Sequence, residues 1–306
     1  MQLHKYNFLL GLCTALTFGA CKKSGDPIAT DKGPKPDSTW KEHWLEHTQT
    51  LTLAYYDKEV VVYKDVSVGP AITWPYQLMS DTWKYAKKVY GKMGDDPRLY
   101  VVLHGGTYGN VGQPQYYPDA SGEHRNIVDF SAGNWNNFVF PEPGLIHEVC
   151  HIVESVTNQV KGSPAFEVWG DSKWQDIFVY DVYRGLGMQD KAAAWYNFYL
   201  SDAVAYPAKN SHWFRDWWLP IYTKYGESKV LNNFFVLLSQ HFPKVPLDHQ
   251  QEYARRMNLG EYIHFMSGAA GVNLKAQATI AFGWPDECDQ QFKQARLDFP
   301  GVKYTE

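Results

Sequence analysis

The sequence predicts an α+β protein, with strands in its first half and helices in its second. Two observations lead there. Residues 50–63, TLTLAYYDKEVVVY, and 98–104, RLYVVLH, are short runs rich in β-branched and aromatic residues between polar or glycine breaks. After Pro143 nearly every segment instead spaces its apolar residues at helical period. A third observation sets the organisation. No repeat and no Gly/Ser linker divides the chain, so strands and helices belong to adjoining subdomains with a soft boundary near 187.

Taken in order, the 50–63 run is interrupted by Asp57 and Lys58 and predicts a hairpin or two neighbouring strands. Ile72, Tyr76, Met79, Trp83, Ala86, Val89 and Tyr90 recur at helical spacing, predicting a helix over 72–93 that stops at Gly94. Arg98 to His104 precedes Gly105-Gly106 and reads as a buried strand. Asn126 to Ser131, NIVDFS, alternates and reads as a strand at a sheet edge, with a long Gly, Pro and Tyr loop between the two. Ser163-Pro164 supplies an N-cap and a first-turn proline for a helix over 163–184. Further helices are expected over 228–242 and 286–297, with Ser228 and Asp248 as caps.

Composition narrows the partners. Lys and Arg number 29 against 33 Asp and Glu, with no basic stripe, which excludes nucleic acid as the main partner because its binding needs clustered cations. The 12 Trp, 21 Tyr and 16 Phe suit either a thick core or a surface that stacks on sugars and peptides.

The first twenty residues are an address. A polar start with His4 and Lys5 leads into an apolar run from Phe8 to Leu16 that is too short to span a bilayer and ends in small residues, as a secretory signal does. Gly19-Ala20-Cys21 resembles a bacterial lipoprotein cleavage site. That resemblance implies a mature chain that starts at Cys21, carries a lipid there, and is exported and anchored to a bacterial membrane, the outer membrane being the expected one. Residues 22–38, KKSGDPIATDKGPKPDS, read as a tether. The expected layout is a signal over 1–20, a linker over 21–39, a catalytic subdomain over 40–187 and a helical subdomain over 188–306. Cys150 and Cys288 are then the only cysteines left for a disulfide.

The chemistry is concentrated in residues 145–154, where His147-Glu148-Val149-Cys150-His151 forms an HExxH motif. On a helix, positions four apart share a face with β-carbons about 5–6 Å apart. Two imidazoles can therefore converge on one Zn2+, and Glu148 beside them can serve as general base toward a water in the open position. Burying two histidines and a glutamate among Leu145, Ile146, Ile152 and Val153 without partners would cost several kcal/mol, and a metal supplies the partner. Cys150 reads as a small buried hydrophobe. Of the carboxylates that could complete the shell, Glu154 lies about 10 Å further along the helix axis at 1.5 Å per residue. Glu167, on the helix from Ser163, is the expected third ligand. Asp171, one turn later, is expected to orient a ligating imidazole.

This pattern resembles the gluzincin branch of zinc metallopeptidases, the thermolysin-like clan, over about residues 98–187. Its members join HExxH to a glutamate on a following helix, sometimes as E-x-x-x-D, here Glu167-Val168-Trp169-Gly170-Asp171. The resemblance implies a zincin-like fold, zinc held by His147, His151 and Glu167, and hydrolysis of a peptide or protein substrate, glycoproteins included. The run Phe265 to Leu274 looks like a helix-loop-helix segment found late in some relatives. The stretch between His151 and Glu167 is shorter than in thermolysin, and residues 152–166 hold no tyrosine to stabilise an oxyanion. Tyr183, Tyr206, His212 and His264 remain candidates for that role. From a different class, an anchored protein that captures glycans or glycopeptides on aromatic residues, with zinc structural or absent, is the alternative expectation.

Overall fold

In the computed structural model, which describes residues 32–306 except 138–140, 208 and 249, the strand-rich half forms a six-stranded sheet. Its strands are β1 (Thr39–Lys41), β2 (Thr50–Tyr56), β3 (Val60–Lys64), β4 (Leu99–His104), β5 (Val111–Gln115) and β6 (Ile127–Ser131), in the order β1-β2-β3-β4-β6-β5. β3, β4 and β6 are parallel; the outer pairings are antiparallel. The expected hairpin is β2–β3, and Asp57 sets its turn by accepting the backbone N–H groups of Glu59 and Val60 at 2.7 and 2.8 Å.

Period-two alternation sorts the side chains to two cores. Val60, Val62, Leu99, Val101, Leu103, Val128 and Phe130 face the helices. Val61, Tyr63, Tyr100, Val102 and Ile127 face the opposite way, beneath Trp40, Trp44 and Leu51. Burial on both faces explains why 127–131 is an inner strand rather than the expected edge. The edge is β5, drawn from the stretch read as a loop, where Gly112 and Pro114 hid the strand pattern. Part of the expected tether, Lys32 to Ser38, lies along this sheet. The carbonyls of Pro34 and Asp37 accept bonds from Arg98 Nη1 and the Tyr63 hydroxyl at 3.2 and 2.8 Å.

Helix α1 (Trp74–Tyr90) buries Met79, Trp83, Ala86 and Tyr90 and ends at Gly91, where φ is +84°, rather than at Gly94. Helix α2 (Pro141–Val156) carries the HExxH motif. Its Leu145, Ile146, Val149, Ile152 and Val153 are all 0% exposed. At roughly 2 kcal/mol each, those five side chains contribute on the order of 10 kcal/mol before chain entropy, so the motif sits on a firmly seated helix.

The expected helix over 163–184 is two helices, α3 (Phe166–Trp169) and α4 (Lys173–Gly185). Gly170 separates them at φ +63°. A side chain there would also strike the Tyr206 hydroxyl. Ser163 caps neither helix, because the chain before it is drawn into a second, three-stranded sheet. β7 (Val160–Lys161) pairs with β9 (Gln250–Tyr253), which pairs with β8 (Lys244–Leu247).

The remaining helices are α5 (Gln189–Tyr199), α6 (Leu219–Lys224), α7 (Ser228–His241), α8 (Leu259–Ala270), α9 (Lys275–Phe282) and α10 (Asp286–Asp298). Ser228 lies inside α7 rather than at its cap, and Asp248 sits in the β8–β9 turn at φ +47°. The N-cap with full side-chain reciprocity is Asn258 of α8. It accepts the N–H of Glu261 at 2.8 Å while Glu261 accepts the N–H of Asn258 at 2.9 Å. Gly271, at φ +75°, closes α8 before α9.

The aromatic residues fill the core. Trp169, Trp174, Trp213, Trp217 and Trp218 are at most 1% exposed, and Trp169 and Trp174 stack at 5.7 Å. Among the described residues the large exposed aromatic side chains are Phe198 and Tyr206. Cys150 and Cys288 are both buried and free. Among the described residues no helix is long and apolar enough to cross a membrane. The signal segment, Cys13 and Cys21 lie outside the described residues.

Candidate metal centre

Adjacent turns of α2 place His147 and His151 with their Nε2 atoms 3.1 Å apart. The carboxylate that joins them is Asp171, whose Oδ1 lies 3.4 Å from His151 Nε2. One ligand atom from each of His147, His151 and Asp171 falls within 4.8 Å of the others, a group able to hold a metal ion. Glu167 is not in it. Its side chain is 66% exposed and lies 3.9 Å from Arg256 Nε.

The exchange has a local cause. The E-x-x-x-D spacing puts Glu167 and Asp171 on one face only if the helix continues through both. α3 ends at Trp169, and the positive φ of Gly170 redirects the chain, so Asp171 lines the cleft while Glu167 faces Arg256.

Asp171 therefore joins the two imidazoles, and Glu154 lies behind the His151 ring. Glu154, 3% exposed, places Oε1 3.3 Å from His151 Nδ1, and Gln175 Nε2 meets the same ring atom at 3.0 Å. With Nδ1 protonated and donating to Glu154, Nε2 presents its lone pair toward His147 and Asp171. Glu154 is too far along the axis to bind the same ion as His147, yet sits one turn beyond His151, where it can fix that ring.

Burial governs the protonation states. Desolvation, then the positive charge of His151, lowers the His147 pKa to about 3, so this imidazole keeps its lone pair at neutral pH. Desolvation pushes Glu148 up to about 7; His151 opposes the shift, while Asp171 and Asp129 add to it. A carboxylate with a proton affinity near neutrality is matched to general base and acid work. Its place is fixed by β5, since a Cβ at Gly112 would come within 3 Å of the Glu148 carboxylate. A side chain at 112 would have to displace that carboxylate.

Two clefts flank the histidines. One, of about 510 Å3, runs from His147 past Gly144 and Tyr183 to Trp195, Phe198 and Tyr199. The other, of about 370 Å3, holds His151, Glu154, Asp171, Tyr116 and Arg256. Of the expected oxyanion donors, Tyr183 lines the first cleft and donates its hydroxyl to Glu142 at 3.2 Å. Tyr206 donates to the Trp169 carbonyl at 3.0 Å, beside Gly170. His212 binds the Asp202 carbonyl, and His264 is held between Tyr304 and Phe299; neither belongs to the lining of the two clefts.

No protein-family model matches the chain, and no curated protein matches it.

Proposed function

We propose that the protein is a zinc-dependent peptidase of zincin-like architecture, with His147, His151 and Asp171 as metal ligands and Glu148 as general base. The observation that carries this reading is the spacing of the ligand atoms. Zinc at ~2.0–2.2 Å from each donor in a tetrahedral shell sets neighbouring donors about 3.3–3.4 Å apart. The separations here are 3.1 Å between the imidazoles and 3.4 Å from His151 to Asp171. Asp171 is 81% exposed, so the group is open to solvent and substrate on one side, as catalytic sites are.

Zinc held by His147, His151 and Asp171 would supply Lewis acidity toward a carbonyl and toward water. The chain does the rest. Glu148 accepts the proton of the attacking water and returns it to the leaving amine. Glu154 holds the His151 ring in the tautomer that presents Nε2. β5 is the last strand of its sheet and offers an edge for an extended peptide beside Glu148. The cleft walled by Trp195, Phe198 and Tyr199 favours an aromatic or large apolar side chain next to the scissile bond. Export and lipid attachment at Cys21 would present this groove at a membrane surface.

The test is cleavage of a casein and glycoprotein panel with and without a zinc chelator. Chelator-sensitive cleavage is expected. Tight zinc binding with no turnover on any peptide would overturn the peptidase reading in favour of surface capture.

A further inference from the structure

A second group of histidines and carboxylates lies on the other side of the molecule's sheet. By strand alternation Asp65, His104 and Asp129 fall on the face that carries Tyr63, Val102 and Ile127, towards the C-terminal ends of the parallel strands. Open α/β sheets place ligands at those ends. The β1–β2 connection folds over this face and adds Glu42 and His47.

The group is sealed. The side chains of Glu42, His104, Asp65 and Asp129 are 0 to 3% exposed, and that of His47 13%. His104 Nδ1 lies 3.0 Å from Asp65 Oδ2. Its Nε2 then faces Glu42 Oε1 at 2.9 Å and Asp129 Oδ1 at 3.2 Å. Yet neither Nε2 nor Glu42 Oε1 has a hydrogen-bond partner among the described residues. Two fully buried polar atoms thus face each other at 2.9 Å without a hydrogen bond between them. His47 Nδ1 closes the ring of donors, 3.1 Å from Asp129 Oδ2 and 3.7 Å from Glu42 Oε1.

We infer that Glu42, His47, His104 and Asp129 form a second divalent-cation site, closed and structural, that fastens the β1–β2 segment to the sheet. One donor atom from each lies within 4.8 Å of the others. Two imidazoles and two carboxylates suit a zinc- or manganese-type ion rather than calcium, which takes oxygen alone. Asp65 performs for His104 what Glu154 performs for His151, fixing the tautomer from behind. The outward lone pairs are also held: Trp44 Nε1 donates to Asp129 Oδ2 at 2.8 Å and the Gln49 N–H to Glu42 Oε2 at 3.0 Å.

Charge points the same way. Three buried carboxylates meet two imidazoles, and among the described residues their ion pairs are with those histidines. Even with both rings protonated, one negative charge is left over in a site of low dielectric, which is costly. The pocket demands positive charge, and a divalent ion supplies it while both rings stay neutral.

This inference is independent of the peptidase reading, and one experiment separates the two. The full chain, its His147→Ala/His151→Ala variant and its His47→Ala variant are dialysed against zinc chloride and then metal-free buffer, and bound zinc is counted. Two equivalents are expected for the unchanged chain and one for each variant, with a chelator lowering the melting temperature of the His147→Ala/His151→Ala protein. Because His47 is on a loop, that variant should fold. His47→Gln, which keeps a polar side chain, should also lose one equivalent. If zinc bound to the unchanged chain disappears entirely in His147→Ala/His151→Ala, and its melting temperature ignores both zinc and chelator, the second site is wrong and the first stands. A single equivalent that survives in that variant but vanishes in His47→Ala would uphold the second site and remove the first.

Discussion

The two histidine-carboxylate groups are made of the same residue types and differ in their surroundings. At His147, His151 and Asp171 the carboxylate is 81% exposed and two clefts open beside the rings. At Glu42, His47, His104 and Asp129 the side chains are sealed beneath Trp44 and the β1–β2 segment. The difference teaches that residue type sets whether an ion can be held, whereas access sets what the ion can do. A closed shell stabilises, and an open one can also react.

The sharpest break in the comparison should come from Glu148→Gln. On the proposed reading it removes the base and leaves the three ligands in place, so hydrolysis should fall ~10²- to 10⁴-fold while bound zinc stays constant. Peptide cleavage and elemental analysis on the same preparation check both halves. The sealed group should respond in stability instead. Glu42→Gln or His104→Gln breaks a buried charge cluster and should cost about 3–5 kcal/mol in denaturant unfolding, and any fraction that folds should keep the catalytic zinc.

Gly112→Ala comes next in size. The added methyl must displace the Glu148 carboxylate or β5, a strain of about 1–3 kcal/mol. It should therefore lower kcat without changing zinc content. If activity is untouched, the edge strand does not pass beside the base. The smallest effect is expected for Glu167→Ala. Its exposed pairing with Arg256 is worth at most about 1 kcal/mol, so zinc affinity and folding should both stay near those of the unchanged protein.

How far the sequence discloses all this follows from the range over which each residue acts. The α+β order, the β2–β3 hairpin, β4 and the HExxH helix are local patterns, and they are visible in the spacing of Val60, Val62, Val101 and Leu145. The third member of the group depends on Gly170, a single residue whose φ of +63° breaks the helical face that Glu167 and Asp171 would otherwise share. A glycine inside E-x-x-x-D was the available signal. β5 was hidden because Gly112 and Pro114 are poor strand residues, kept there by an edge position and by the approach of Glu148. The sealed group was out of reach altogether. Glu42, His47, His104 and Asp129 come from three separate stretches of chain, and only the pairing of β4 with β6 and the fold of the β1–β2 connection bring them together.

The central claim is that the open group holds a divalent ion through His147, His151 and Asp171. Anomalous diffraction at the zinc edge, from crystals grown with zinc, tests it most directly. The account predicts a peak about 2.0–2.2 Å from both Nε2 atoms and from an Asp171 oxygen. A peak bonded to Glu167 instead, or none between the two rings, would contradict it.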